Sequence, residues 1–394
     1  MAEVTLRQVY GDEMLDIVHW MHSYALRPSP PLIDKAEYQA MVKQRKGVIY
    51  FALYEDGVPV ACVASTPLVQ QVRGGLFGAG GIMEVVTHPA ARRKGYSRRL
   101  MARLLDAVRQ EGRPLSCLYP FRESFYERLG YVTFPQIRKA TFAPSTLAPL
   151  LKVDLGGEVE LALIGERYEV YLDYLRQVQR RVHGMALFEH ADHGWAQRNR
   201  FWLALARVKE ETVGLMLYAL RGERETEYNL RAFRFYYHTS QGKYLLLQWI
   251  ARHIDQANQA ELWLSPFELP ETWLADMNVT VETAHFTPMG RVVDLAQMGG
   301  MRAGSGRFSA RVQDPLCPWN EGAWRFETDD GLLRVHPAQE ADCALSIQAI
   351  SALVYGAHDP ADFSLRGWGD PPPEVQAVMR AMFPPMPPHL HEMF

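Results

Sequence analysis

The sequence predicts a mixed α/β, α+β protein of three domains, and three observations carry that expectation. Strand-like and helix-like periodicities alternate through the first 134 residues, a near-repeat of the same plan follows, and the chain closes on a smaller hairpin-and-helix segment with a proline-dense tail. At 394 residues the chain is two to three times a typical domain of about 100–200 residues.

Residues 46 to 90 read as strands. Val48, Tyr50, Ala52 and Tyr54 alternate with other residues, and Glu55-Asp56-Gly57 supplies a hairpin turn before a second strand over 58–66. A helix is expected after Gly95, because Leu100, Leu104 and Val108, with Met101 and Leu105, recur on one face until Gly112-Arg113-Pro114. A short buried strand over 115–119, a helix over 122–129 stopped by Gly130, and a strand over 131–134 complete the first domain, 1–145.

The second domain, 146–287, repeats the plan. Glu210 to Gly214 resembles the hairpin at 55–60, Gly242 opens a helix carrying Leu247, Ile250 and Ile254, and a strand follows over 261–265. Gly95 lies 25 residues before Pro120-Phe121, and Gly242 lies 24 before Pro266-Phe267. The copies diverge where chemistry would sit: Arg92-Arg93-Lys94-Gly95-Tyr96-Ser97 becomes Ser240-Gln241-Gly242-Lys243-Tyr244.

In the third domain, 288–394, Arg291 to Asp294 reads as a strand, and 324–327 with 332–336 as a hairpin about Asp329-Asp330-Gly331. Helices are expected over 346–355 and 374–382. Seven prolines fall in the last 24 residues, before His389-Leu390-His391-Glu392-Met393-Phe394.

Composition narrows the function. With 48% apolar and 22% charged residues the chain is globular, and 42 basic against 45 acidic residues give a net charge of −3, without the basic footprint of a nucleic-acid binder. The longest uncharged runs, 57–72 and 343–358, are 16 residues each, too short for a membrane helix. The four scattered cysteines and an N-terminus lacking a secretory pattern imply a reducing cytoplasm.

The segment Val85-Val86-Thr87-His88-Pro89-Ala90-Ala91-Arg92-Arg93-Lys94-Gly95-Tyr96-Ser97 carries the main chemical signal. A strand running through a basic, glycine-containing loop into a helix gathers backbone N–H groups and the positive helix end at one point, which suits a diphosphate. Gly95 permits close approach, and Arg92, Arg93 and Lys94 add charge-assisted donors. Spacing alone fits a solvated basic turn equally well.

Arg-x-x-Gly-x-Ser after Val-Val-Thr-His-Pro resembles the acetyl-CoA loop of the GNAT N-acetyltransferase superfamily, and Ser124-Phe125-Tyr126-Glu127-Arg128-Leu129-Gly130-Tyr131 is similar to the Tyr-x-x-x-Gly-Tyr that ends a GNAT core. Length, a degenerate second GNAT-like copy, a C-terminal domain like a sterol-carrier protein and an aromatic last residue together resemble the enhanced-intracellular-survival (Eis) acetyltransferases. That resemblance implies tandem GNAT folds plus a sterol-carrier-like domain, acetyl-CoA as cosubstrate, an amine acceptor of polyamine or aminoglycoside type modified at one or several positions, and a homohexamer; no metal is expected, because no further Cys or His falls at zinc-site spacing. By resemblance, Val85, Val86 and Thr87 offer backbone groups to the pantetheine arm, residues 92 to 97 hold the diphosphate, and Phe121 and Arg122 flank the cosubstrate. Tyr126 is the general acid, and the Phe394 carboxylate the general base. Ser97 stands where the family usually has glycine or alanine, and the second copy lacks both the basic loop and a tyrosine six residues after Pro266, so no cosubstrate is expected there.

The chemistry is consistent with these roles. A phenol of ordinary pKa about 10 is protonated at neutral pH and can donate to a departing thiolate. A terminal carboxylate, ordinarily at about 3.3–3.7, is a weak base that needs partial burial or a water relay, and it attracts an ammonium acceptor. Glu84, at the end of a strand, suits a water-relaying base or a polar sheet edge. Glu189 to His193 and His389-x-His391 contain ligand-type residues without metal-site spacing, Cys117 reads as core, and Trp20, Tyr24, Trp195, Trp202, Tyr236 and Tyr237 suit either an acceptor cavity or core. Within enzymes the other reading is an acetyltransferase for protein lysine or a small metabolite; outside them it is a CoA- or lipid-sensing binding protein.

Overall fold

A computed structural model describes residues 2–43, 45–198, 200–224, 226–284 and 287–394. The chain divides into two compact units, one of Met1–Phe134, Val182–His190 and Pro288–Phe394, the other of Pro135–Arg181 and Ala191–Thr287.

The first unit is built on a mixed sheet in the order Val4–Gln8, Ile49–Glu55, Val58–Val72, Gly75–Thr87, Leu115–Leu118, Met289–Val292, Val132–Thr133, with Ala186–Phe188 pairing onto Val58–Val72. Two-residue turns set its register: Glu55 pairs with Val58 and Val72 with Gly75, which leaves Asp56-Gly57 and Arg73-Gly74 at φ +50°, +79° and +46°, +82°. Gly75–Thr87 and Leu115–Leu118 run parallel, which requires a crossover, and the helix Tyr96–Gln110 makes it. That helix buries Leu100, Met101, Leu104, Leu105 and Val108, the stripe expected from its spacing. Helices Gly11–Ala25 and Lys35–Lys43 pack Leu15, Val18, Met21, Tyr38 and Val42 into a core shared with Met83 and Val86.

The C-terminal part of this unit is a second sheet, ordered Leu332–Pro337, Gly322–Asp329, Arg307–Gln313, Cys343–Ser346. Asp330-Gly331, at φ +48° and +74°, turns the hairpin where the sequence places it. Helix Ile347–Tyr355 buries Ile347, Ile350, Leu353 and Val354 in a core cluster that also holds Leu68, Leu115 and Cys117 of the first sheet.

The second unit repeats the topology. Its sheet runs Thr280–Thr283, Arg138–Phe142, Ala257–Leu264, Tyr228–Tyr237, Glu211–Arg221, Trp202–Val208, Glu158–Leu163, with a parallel Tyr228–Tyr237/Ala257–Leu264 pair joined by helix Ser240–Ala251.

Two strands fall across the boundaries expected at 145/146 and 287/288. Arg138–Phe142 lies beside Ala257–Leu264 in the second unit, and Met289–Val292 lies beside Leu115–Leu118 in the first. The repeats have therefore traded equivalent strands. The physical need is visible at Leu115–Leu118: all four residues are buried, so both edges of this strand require partners, and Met289–Val292, itself buried throughout, supplies the second.

Candidate functional site

The parallel ladder between Gly75–Thr87 and Leu115–Leu118 covers only Ala79↔Leu115 to Ile82↔Leu118. Beyond Ile82 one strand continues to Thr87, whereas the other turns away at Tyr119-Pro120, so the two splay into a wedge. Just past the opening the strand bulges: Cys62 pairs with Val86 and Ala64 with Met83, which sets Glu84 and Val85 together opposite Val63, with Glu84 at φ +55°. Such a bulge, in a conformation rare for a residue with a side chain, commonly marks a functional site. It puts Val85, Val86 and Thr87 on the wedge-lining stretch, with Val86 packed into the core and Val85 and Thr87 half-buried.

The chain's last residue occupies this wedge. A Cβ on Gly81 would come within 3.0 Å of Phe394 Cε2 and 2.8 Å of Leu68 Cδ1, so only glycine leaves room for the ring. Tyr119 packs edge-on against Phe394 at 6.0 Å, and its hydroxyl donates to the Leu390 carbonyl at 3.4 Å. The proline-rich tail reaches this point through fixed contacts: Arg73 Nη2 donates to Pro384 O at 3.1 Å, and His389 N–H donates to His183 O at 2.8 Å. Met393 is 45% exposed, and it is Phe394 that inserts.

After the bulged strand, His88 caps the turn Pro89–Ala91, accepting from Ala90 N–H at 3.3 Å. Arg93 (φ +64°) and Gly95 (φ +80°) then curl the backbone into a cup at the start of helix Tyr96–Gln110, whose first-turn N–H groups have no intrahelical acceptor. A Cβ on Gly95 would meet nothing within 4 Å, so the cup is open, and its donors and positive helix end fit a diphosphate. The side chains divide. Lys94 Nζ is held by Glu55 at 2.6 and 2.8 Å, Arg92 Nε donates to Thr87 O at 3.4 Å, the Ser97 hydroxyl bonds Thr87 Oγ1 at 2.9 Å, and Tyr96 is buried. Arg93 is exposed at the rim. The counterpart in the second unit differs: a Cβ on Gly242 would lie 2.3 Å from Val213 O, and the Lys243 ammonium stands over the rings of Tyr237, Tyr244 and Trp273 at 5.1–5.9 Å.

Tyr126 lies on the short helix Glu123–Glu127, buried, with its ring against Phe125, Phe121 and Tyr131 at 5.0, 5.7 and 6.0 Å. Its hydroxyl makes no hydrogen bond to the described residues, and burial pushes its pKa well above the ordinary phenol value, keeping it protonated. Tyr131, by contrast, spends its hydroxyl on Ser116 Oγ at 2.7 Å. Phe121, 69% exposed, and the extended, exposed Arg122 lead into the helix.

Glu84 is more than a sheet-edge residue. Its carboxylate is buried, 3.0 Å from His22 Nδ1 through both oxygens and 3.4 Å from the Tyr38 hydroxyl, and Arg27 Nε donates to His22 Nε2 at 3.2 Å. Because Arg27 donates to Nε2, Nδ1 is the ring nitrogen left to donate to Glu84. His22, Tyr38 and Arg27 were invisible to spacing: they come from the N-terminal helices and meet Glu84 only in the fold. Trp20 stacks on Tyr24 and His88 at 5.6 and 5.5 Å, partly exposed, whereas Trp195, Trp202, Tyr236 and Tyr237 belong to the second unit. Cys117 is fully buried, which pushes its thiol pKa up. Glu189 pairs with Arg113 at 2.6 Å, and among the described residues no three His, Cys, Asp or Glu side chains are grouped to hold a metal ion.

An antiparallel meander leading into a parallel pair, with an open backbone cup at the start of the crossover helix, is an arrangement that could hold a CoA thioester, as an acyltransferase does. Residues 6–134 match the acetyltransferase (GNAT) domain family and residues 295–391 the sterol carrier protein domain family. An uncharacterised N-acetyltransferase of Streptomyces coelicolor is 26% identical over 76% of this chain and 78% of its own. The fold is shared across the full length of both chains with a GCN5-related N-acetyltransferase from Anabaena variabilis, at TM-score 0.84 and 16% identity, and with Eis1 from Mycobacterium abscessus, at 0.77 and 16%. The chain is an N-acetyltransferase that carries a GNAT domain over residues 6–134 and a sterol carrier protein domain over residues 295–391. Among the described residues no helix is long and apolar enough to cross a membrane.

Proposed function

We propose that this chain is an Eis-type acetyltransferase of the cytoplasm, a homohexamer with domains at 1–145, 146–287 and 288–394, that moves an acetyl group directly onto a polyamine or aminoglycoside-like amine in a ternary complex. Acetyl-CoA would supply the activated thioester. Backbone groups of Val85, Val86 and Thr87 would align its pantetheine arm, the cup at 92–97 would hold the diphosphate, and Phe121 with Arg122 would flank it. Tyr126 keeps a proton for the departing sulfur, and the Phe394 carboxylate attracts the acceptor ammonium and takes its proton.

The observation that supports this reading best is the Phe394 ring seated against Gly81 at the mouth of the wedge. Deleting Phe394, or appending residues that displace its carboxylate, is expected to lower kcat by about 10²-fold or more while acetyl-CoA binding and the fold persist. Unchanged turnover in the extended protein would overturn the assignment of the base.

A further inference from the structure

The helix carrying Tyr126, Glu123–Glu127, is five residues long, too short to keep its geometry unaided in water. Its end and the residues just beyond are held by side chains from later in the chain. Gln348 Nε2 donates to Glu127 O at 2.8 Å, Arg291 Nη1 donates to Leu129 O, and Arg366 Nη1 lies 3.9 Å from the Glu127 carboxylate. Ser351 Oγ also approaches Gly130 O at 3.5 Å, although its proton goes to Ile347 O at 2.8 Å. These side chains all follow residue 288: they come from the traded strand Met289–Val292, from helix Ile347–Tyr355 and from the loop beyond it. Gly130, at φ +93°, lets them in, since a Cβ there would stand 2.7 Å from Arg291 Nη1 and 2.8 Å from Ile347 Cγ2.

At the opposite end of the tyrosine nothing is fixed in this way. The Tyr126 hydroxyl has no hydrogen-bond partner among the described residues. A general acid must keep its proton for the leaving group, so an internal acceptor on the phenol would compete with the reaction. Its aim has to come from the ring packing and from the backbone beneath it.

We infer that Gln348 is a positioning residue for the reaction, through which the C-terminal segment grips the end of helix Glu123–Glu127 and sets where the Tyr126 hydroxyl stands. The inference rests on the reading of Tyr126 as general acid. It gives the sterol-carrier segment a second task besides carrying the Phe394 carboxylate: acid and base are placed by one piece of chain. Arg291 shares the grip but is a poor probe, because its ion pair with Asp314 at 2.6 Å is wholly buried and breaking it endangers the fold.

The full-length protein is assayed by CoA thiol release, with acetyl-CoA and the best amine from a panel of polyamines and aminoglycosides. Gln348→Ala is expected to lower kcat about tenfold while KM for acetyl-CoA stays within about twofold, as for a misplaced rather than a missing group. Gln348→Glu, equal in size but unable to donate when ionised, should lose as much and guards against a packing effect. The decisive comparison is the double variant: if Gln348 works through the phenol, Gln348→Ala has no further effect in a Tyr126→Phe background. The same tenfold loss in that background would overturn the positioning role and leave the acid assignment standing. A Tyr126→Phe protein that turns over like wild type would overturn the acid assignment and the inference with it.

Discussion

Tyr126 and Tyr131 are five positions apart on one short stretch, both buried, and their hydroxyls have opposite fates: one is tied to Ser116, the other to no described residue. That difference, rather than the residue type, is what favours Tyr126 in the proposed role of proton donor, and Tyr126→Phe is expected to lower kcat by about 10²–10⁴-fold with acetyl-CoA binding retained. The pH dependence follows in sign. Burial raises the phenol pKa, so the acid form persists beyond the pH, about 10, where an exposed tyrosine would ionise, and kcat should show no alkaline fall up to that point. A kcat profile that already declines by pH 9 would contradict a shielded phenol. The basic loop separates its residues the same way. Lys94 is held by Glu55, while Arg93 stands exposed at the rim. Arg93→Ala should therefore raise KM for acetyl-CoA about tenfold, and Lys94→Ala less than about threefold. The sequence displayed three adjacent cations as equals, because Glu55 lies across a hairpin that spacing cannot see.

At the scale of elements, local signals were legible where local physics decides. The turns at Asp56-Gly57 and Asp330-Gly331 require positive φ and advertise it, and the apolar stripe of Tyr96–Gln110 follows from helical period. The traded strands were not legible, since nothing in 289–292 or 138–142 says which sheet it will complete. The Glu84 network was hidden for the same reason: its partners enter from helices far away in sequence. The tail was legible as an oddity, and its path was not. One glycine offers a test of that path. Gly184 sits at φ +81°, and a Cβ there would stand 2.6 Å from Pro388 Cβ and 2.9 Å from His389 N. Gly184→Ala should push the tail off its seat and lower kcat several-fold without touching any group assigned to the chemistry. Wild-type turnover in a folded Gly184→Ala protein would show that the tail tolerates displacement.

For the whole molecule, the sterol-carrier segment is part of the first compact unit and not an appendage: one core cluster joins Leu68, Leu115 and Cys117 of the GNAT sheet to Ile347, Ile350 and Leu353. His183 lies where that union meets the tail. Its Nδ1 accepts from Arg73 N–H at 3.1 Å, its Nε2–H donates to Tyr355 O at 2.9 Å, and its carbonyl receives His389 N–H. Both ring nitrogens are thus used in the neutral form, and burial pushes the pKa down to about 4. An unfolded histidine takes up its proton near pH 6.5, whereas the folded one resists until about 4. Between those values the unfolded chain binds more protons, so the stabilisation present above pH 6.5 is lost as pH falls, at about 1.4 kcal/mol per unit, or roughly 3 kcal/mol across the window. Denaturant midpoints measured from pH 7 to 4 should fall accordingly, and His183→Gln, which keeps one donor and one acceptor without titrating, should flatten that slope. Because the backbone carbonyl of the same residue holds the segment that leads to Phe394, acid should release the tail before the sheet unfolds, with kcat declining at a higher pH than the unfolding transition. Identical slopes in the two proteins would remove His183 from this role.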